Sequence, residues 1–164
     1  IGFLYVKEGI EIFPIIFGGG QEKGIRSGTE NVPAIVGLGK ALEFKENKYK
    51  IKKIRDGMIE RIRKIGGRIN GTIEKRIYNN IHVSFKGVEG NVLVSFLSRK
   101  GIYVSAGSAC DSKKEKEDHV LKAIGLKENE KQSSIRITLN DEINEKDVNY
   151  IIEQIDKAVK ILKV

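Results

Sequence analysis

Between residues 145 and 162, Val148, Ile151, Ile152, Ile155, Val159 and Leu162 recur at i, i+3, i+4 and i+7 spacing, which predicts an amphipathic helix with a single apolar stripe. A stripe of that length has to be covered, and the segments before it offer the cover. "IHVSF" (81–85) and "SIRITL" (134–139) alternate like half-buried strands, and "IYVS" (102–105) reads as a third. A helix is expected over 88–100, closed by Gly101, and a short one over 118–124, closed by Gly125. The alternation predicts an α/β domain over 68–164 of about 95 residues, with about three strands packed against helices.

Upstream the grammar is different. "IGFLYV" reads as a strand already under way at Ile1, one that needs neighbours on both sides, so the chain is expected to be part of a longer one. "KEG" is a turn, Pro14 breaks a short extended piece, and a glycine-rich loop runs from Gly18 to Gly28. Asn31 is a cap and Pro33 sits near the first turn of a helix that carries Ile35, Val36, Leu38, Ala41 and Leu42. The periodicity resumes at Ile51, Ile54, Met58, Ile62 and Ile65 and stops at Gly66-Gly67, so one long or once-broken helix is expected over 31–67.

The composition, 40% hydrophobic and 32% charged with two prolines, is that of a chain with a real core rather than a disordered one. No run approaches the roughly 20 apolar residues of a membrane span, and no signal-peptide pattern is present, so no membrane partner and a cytoplasmic address are expected. The net charge of +8 would suit an acidic or nucleic-acid partner, but the basic residues between Lys45 and Lys64 alternate with Glu46, Asp56 and Glu60, as on a solvated helix face. No aromatic-interleaved basic stripe accompanies them, and no nucleic-acid partner is expected. A single cysteine makes no internal disulfide, and one cysteine with two separated histidines makes no structural zinc site, so no metal is expected.

Three places could carry chemistry. Cys110 follows an apolar run and a small-residue turn and precedes seven charged residues among the next eight. A lone cysteine is commonly a small buried hydrophobe. Here Gly107 and Ser108 interrupt any regular element, and the charges cannot be buried unpaired, so the thiol is expected at the root of an exposed, mobile loop, with Lys113 or Lys114 able to stabilise its thiolate. The loop "GGGQEKGIRSGTEN" offers backbone N–H groups and a helix N-terminus to an anion, with Thr29 and Arg26 suited to a phosphate or carboxylate. It fits neither the phosphate-loop nor the dinucleotide fingerprint, and a turn-and-interface loop reads equally well. Arg136 lies on the polar face of "SIRITL", where it either points to solvent or projects from a rigid strand to grip a carboxylate bidentately. His82 and His119 show no base-like constellation and are expected to be structural.

Read in order, "GGGQEKGIRSGTENV", "NNIHVSFKGVEG", "GIYVSAGSAC", "DHVLKAIGL" and "SSIRITL" resemble the C-terminal portion of the cysteine desulfurases, a branch of the fold-type I, class V aminotransferases that use pyridoxal phosphate. The resemblance covers nearly the whole chain. It implies the end of a large cofactor-binding domain with a glycine-rich interface loop (1–30), a linking helix (31–67) and a small C-terminal domain with the catalytic-cysteine loop (68–164). It also implies conversion of L-cysteine to L-alanine, with the sulfur carried as a persulfide and passed to an acceptor or scaffold protein for iron–sulfur cluster assembly or tRNA thiolation.

By the same resemblance Cys110 is the nucleophile that becomes the persulfide, and Arg136 binds the substrate carboxylate. Thr29 reaches the cofactor phosphate of the other subunit of a homodimer. The spacing from Cys110 to His119 resembles the long-loop group, although "KKEKE" replaces the family's small and polar residues there. The family's cofactor lysine, stacking histidine and pyridine-pairing aspartate would lie upstream of Ile1, since none of Lys7, Lys23 or Lys40 sits in a matching motif. The polypeptide by itself is therefore expected to be inactive. Two other readings stand beside this one: a basic, non-catalytic scaffold or binding module of the same fold, and a related lyase acting on selenocysteine or cystine.

Overall fold

Asn144 begins the terminal helix by accepting from the N–H groups of Lys146 and Asp147 at 2.9 and 3.2 Å, while Asp147 Oδ2 accepts from the Asn144 N–H at 3.1 Å. From that cap the computed structural model, which describes residues 1–107 and 119–163, carries the helix from Glu145 to Leu162. Val148, Ile152, Ile155 and Ala158 on this helix are buried. The chain divides into two units, Ile1–Lys45 and Glu46–Val164.

In the second unit the elements run α1 (Lys48–Lys64), β1 (Arg68–Ile69), β2 (Asn80–Ser84), α2 (Gly90–Ser98), β3 (Ser105–Ala106), α3 (His119–Ala123), α4 (Glu128–Gln132), β4 (Ser134–Thr138) and α5, the terminal helix Glu145–Leu162. The strands form an antiparallel sheet in the order β1-β2-β4-β3. Ile81 and Val83 of β2 and Ile135 and Ile137 of β4 turn to one face. There they meet Ile51, Met58, Ile59 and Ile62 of α1, Leu93 and Leu97 of α2, and the stripe of α5. The other face carries His82, Ser84, Arg136 and Thr138.

α1 opens with Asn47 Oδ1 accepting from the Lys50 N–H at 3.0 Å and ends at Gly66, whose φ of 86° lets the Gly67 N–H return to the Ile62 carbonyl at 2.9 Å. Arg55 is only 2% exposed, yet each of its three side-chain nitrogens donates. Its Nε and Nη2 donate to Asp56 Oδ1 at 2.9 and 2.6 Å, and its Nη1 donates to the Ile77 carbonyl at 2.9 Å, which ties the 70–79 loop to the helix.

One expected element comes out differently, and two arise that were not expected. The strand expected at 102–105 is confined to Ser105 and Ala106. Gly101, at φ 73°, and the Ile102 N–H, which returns to the Leu97 carbonyl at 3.0 Å, are spent closing α2. Pairing with β4 begins only after they are passed. The helix α4 and the strand β1 were not expected, because "ENEKQ" has no apolar period and two residues are too few to show alternation.

Gly90 starts α2 against the sheet, where an added Cβ would lie 2.6 Å from the Ser134 carbonyl oxygen and 3.1 Å from that of Gln132. In an open helix Gly→Ala gains up to about 1 kcal/mol, but here backbone would have to move, so Gly90→Ala is expected to cost about 1–3 kcal/mol. A lowered urea midpoint with unchanged slope is the measurement that checks it.

In the first unit, Ile1 to Val6 form no strand, contrary to the sequence expectation, and Ile1, Phe3, Leu4 and Tyr5 are exposed. A strand exists only where its N–H and C=O groups find a ladder, and no described residue offers one here. A parallel bridge between Ile16 and Arg26 closes the glycine-rich loop, with the Ser27 N–H donating to the Ile16 carbonyl at 3.3 Å. The unit's helix, Val32–Leu42, is separate from α1, so the 31–67 segment is broken once, at residues 43–47. The apolar face of α1 belongs to the core of the second unit.

Candidate active site

Arg136 lies in the middle of β4, with its guanidinium-bearing side chain exposed. Ile135 and Ile137 on either side are in the core, so strand alternation sends Arg136 to the opposite face. Its partners in register are His82 on β2 and Ser105 on β3. Residues directly paired across a sheet share a face, so His82, Arg136 and Ser105 form one row, with neighbours about 4.8 Å apart strand to strand.

The row is anchored at its β2 end. His82 is 8% exposed and Asn70 3% exposed. The Asn70 N–H donates to the His82 carbonyl at 2.9 Å, extending the β1–β2 ladder by one residue. Asn70 Nδ2 lies 3.0 Å from His82 Nδ1 and 2.8 Å from Ser84 Oγ, and Ser84 Oγ donates to the Glu130 carbonyl at 2.9 Å. Asn70 Oδ1 is buried with no hydrogen-bond partner among the described residues. Reversing the amide would exchange that one orphaned acceptor for an NH₂ group with two buried donors, so the orientation with Nδ2 toward His82 is the better satisfied one. The Asn70 carbonyl accepts from Arg76, whose pKa is lowered by burial first and by the charge of Arg55 second.

Beyond β3 the chain passes through Gly107 into the segment that holds Cys110, which lies outside the described residues. The expectations for that thiol and for Lys113 and Lys114 lie there too. Thr29 is in the first unit, exposed, two residues before the Asn31 cap that accepts from the Ala34 N–H at 3.1 Å. Before it, Gln21 Oε1 accepts from the Gly28 N–H at 3.0 Å, and Gly28 has φ 114°. The first amides of the Val32–Leu42 helix are already taken, Val32 by the Glu30 carbonyl at 2.9 Å, Ala34 by Asn31 and Ile35 by the Asn31 carbonyl at 2.9 Å, and Pro33 has none, so the donor this loop offers a phosphorylated cofactor is the exposed Thr29 hydroxyl. Among the described residues no group of three His, Cys, Asp or Glu side chains could hold a metal, and no helix is long and apolar enough to cross a membrane.

His82 was read from sequence as structural. What the sequence reading did not find is its alignment with Arg136 and the Asn70 lock. The available signals were the alternation of 81–85 and the Asn-Gly turn at 70–71, but neither reveals which strands are paired.

An α/β chain with a small antiparallel sheet under helices, an arginine on its open face and a glycine-rich loop leading into a helix is the C-terminal architecture of pyridoxal-phosphate enzymes of fold-type I. The family model for class-V aminotransferases matches residues 1–151, and the chain belongs to that family. It is 41% identical to cysteine desulfurase IscS 1 of Archaeoglobus fulgidus, over 99% of this chain and 44% of the relative. It is 40% identical to cysteine desulfurase IscS of Methanosarcina thermophila, over 99% of this chain and 42% of the relative. Among solved structures, a NifS-like protein aligns with a TM-score of 0.83 at 34% identity, over 96% of this chain and 42% of that one. A NifS-like protein from Rickettsia africae aligns at 0.77 and 32%, over 92% and 41%. The chain thus spans less than half the length of the relatives it matches.

Proposed function

We propose that the whole protein containing this chain is a pyridoxal-phosphate-dependent cysteine desulfurase. It converts L-cysteine to L-alanine and loads the sulfur on Cys110 as a persulfide. One observation carries the reading: Arg136 is paired with Ser105, the first residue of the short strand from which the chain leaves for Cys110. Three residues, and so four residue steps, separate Ala106 from Cys110, so the thiol is tethered within about 14 Å of the sheet edge next to Arg136. A carboxylate-binding cation and a sulfur nucleophile on a short tether suit one small amino-acid substrate.

In this reading Arg136 holds the substrate carboxylate through two charge-assisted hydrogen bonds, which orients the thiol of L-cysteine. The Cys110 thiolate attacks that sulfur, forming the S–S bond of the persulfide as the carbon–sulfur bond breaks. The carbon is then protonated to give alanine. Pyridoxal phosphate, when bound, supplies the electron sink for that cleavage. Thr29 donates to the cofactor phosphate of the partner subunit in a homodimer. The persulfide is delivered to an acceptor or scaffold protein for iron–sulfur cluster assembly or tRNA thiolation, in the cytoplasm.

The test is the whole protein with L-cysteine, which is expected to yield alanine and one persulfide per Cys110. Arg136→Ala is expected to raise KM for L-cysteine about 10- to 100-fold, the worth of a hydrogen-bonded ion pair of about 1.5–3 kcal/mol. Unchanged kinetic constants would mean that Arg136 only faces solvent.

A further inference from the structure

We propose that Asn70 holds His82 as the neutral imidazole protonated on Nε2, and that this ring positions Arg136 for carboxylate capture. The inference rests on the reading of Arg136 given above and adds a residue to that site.

The argument begins with the amide. Asn70 Nδ2 has two hydrogens and two acceptors within reach, His82 Nδ1 at 3.0 Å and Ser84 Oγ at 2.8 Å. Ser84 Oγ spends its own proton on the Glu130 carbonyl at 2.9 Å, so toward Asn70 it can only accept. One amide hydrogen therefore goes to Ser84 and the other to His82 Nδ1, which must be the bare nitrogen of the ring. The proton of the imidazole then sits on Nε2. Protonating Nδ1 as well would set an N–H against an N–H inside a site where both side chains are almost wholly buried.

The neutral form matters because of what stands next in the row. Arg136 is His82's partner in register, on the same face and one strand away. An imidazolium there would repel the guanidinium and compete with it for any bound anion. A neutral ring instead gives the arginine stem a rigid wall on the β2 side, as Ser105 flanks it on the β3 side. The guanidinium remains the single cation of the row and is directed outward. Asn70 acts through His82, and His82 through Arg136; both are positioning residues.

The experiment uses the whole protein labelled with ¹⁵N-histidine. At pH 7 the His82 ring, assigned by the signal lost in His82→Asn, is expected to show a pyrrole-type Nε2 and a pyridine-type Nδ1. His82→Ala is expected to raise KM for L-cysteine about fivefold while kcat changes by less than about twofold. His82→Asn is expected to restore KM to near the unmutated value, because its Oδ1 can take the Asn70 N–H and its side chain is uncharged. An imidazolium or Nδ1-protonated ring at pH 7 would overturn the lock. An unchanged KM in His82→Ala, with Arg136→Ala raising it, would overturn the positioning role and leave the function standing. A silent Arg136→Ala would overturn both.

Discussion

Cys110→Ala in the whole protein is expected to lower sulfur release from L-cysteine by at least about a thousandfold, while the bound cofactor keeps its absorbance. Alanine has no atom that can take the substrate sulfur, and water attacking in its place lacks both the tether and the polarisable nucleophile. Cys110→Ser should fare little better, because an unactivated hydroxyl at neutral pH is a far weaker nucleophile than a thiol with a pKa near 8.5. The cofactor should be retained, because the Thr29 loop and the Arg136 row do not depend on this side chain. Two measurements check the result: alanine and sulfide production under reducing conditions, and the visible absorbance of the purified variant. Sulfide release at the unmutated rate in the alanine variant would show that the persulfide is carried elsewhere.

Ile155→Ala is expected to destabilise the protein by about 2–5 kcal/mol, the cost of a cavity left by a branched aliphatic side chain in a packed core. Ile155 is fully buried on α5, in the cluster that includes Met58, Leu93, Val83 and Ile135. Against a total stability of about 5–15 kcal/mol for an ordinary domain, that removes much of the margin. Ile161, on the same helix but 69% exposed, is the control. Ile161→Ala should stay within about 0.5 kcal/mol of the parent. Urea unfolding followed by far-ultraviolet circular dichroism distinguishes the two, and equal shifts for both would mean that the stripe is not the buried face.

The core stripe and the candidate site differ in how far they could be read. The stripe containing Ile155 was visible as a period of 3.6 residues, and burying it needed only that some apolar surface exist. Arg136 was visible as a polar residue among alternating apolar ones, but whether it faced solvent alone or stood in a row with other groups depended on strand order. The order β1-β2-β4-β3 places residues 82, 136 and 105 side by side, and nothing in their local segments encodes that adjacency. The Ile1–Val6 segment errs the other way: its apolar content suggested a strand, yet a strand is a paired object and no described residue pairs with it.

From sequence alone came what depends on near neighbours along the chain. The helical periods within 31–67, 88–100 and 145–162, the cap at Asn31, the stop at Gly66-Gly67 and the motif around Cys110 all follow from spacing, side-chain chemistry and the conformational freedom of glycine. Tertiary structure alone decided what depends on residues distant in the chain: the shortening of β3, the pairing of β2 with β4 across more than fifty residues, and the Asn70–His82 hydrogen bond beside Arg136. Local periodicity sets which face of an element is apolar, but register and strand order are chosen by the packing of all the faces at once, and the candidate site is built from that choice.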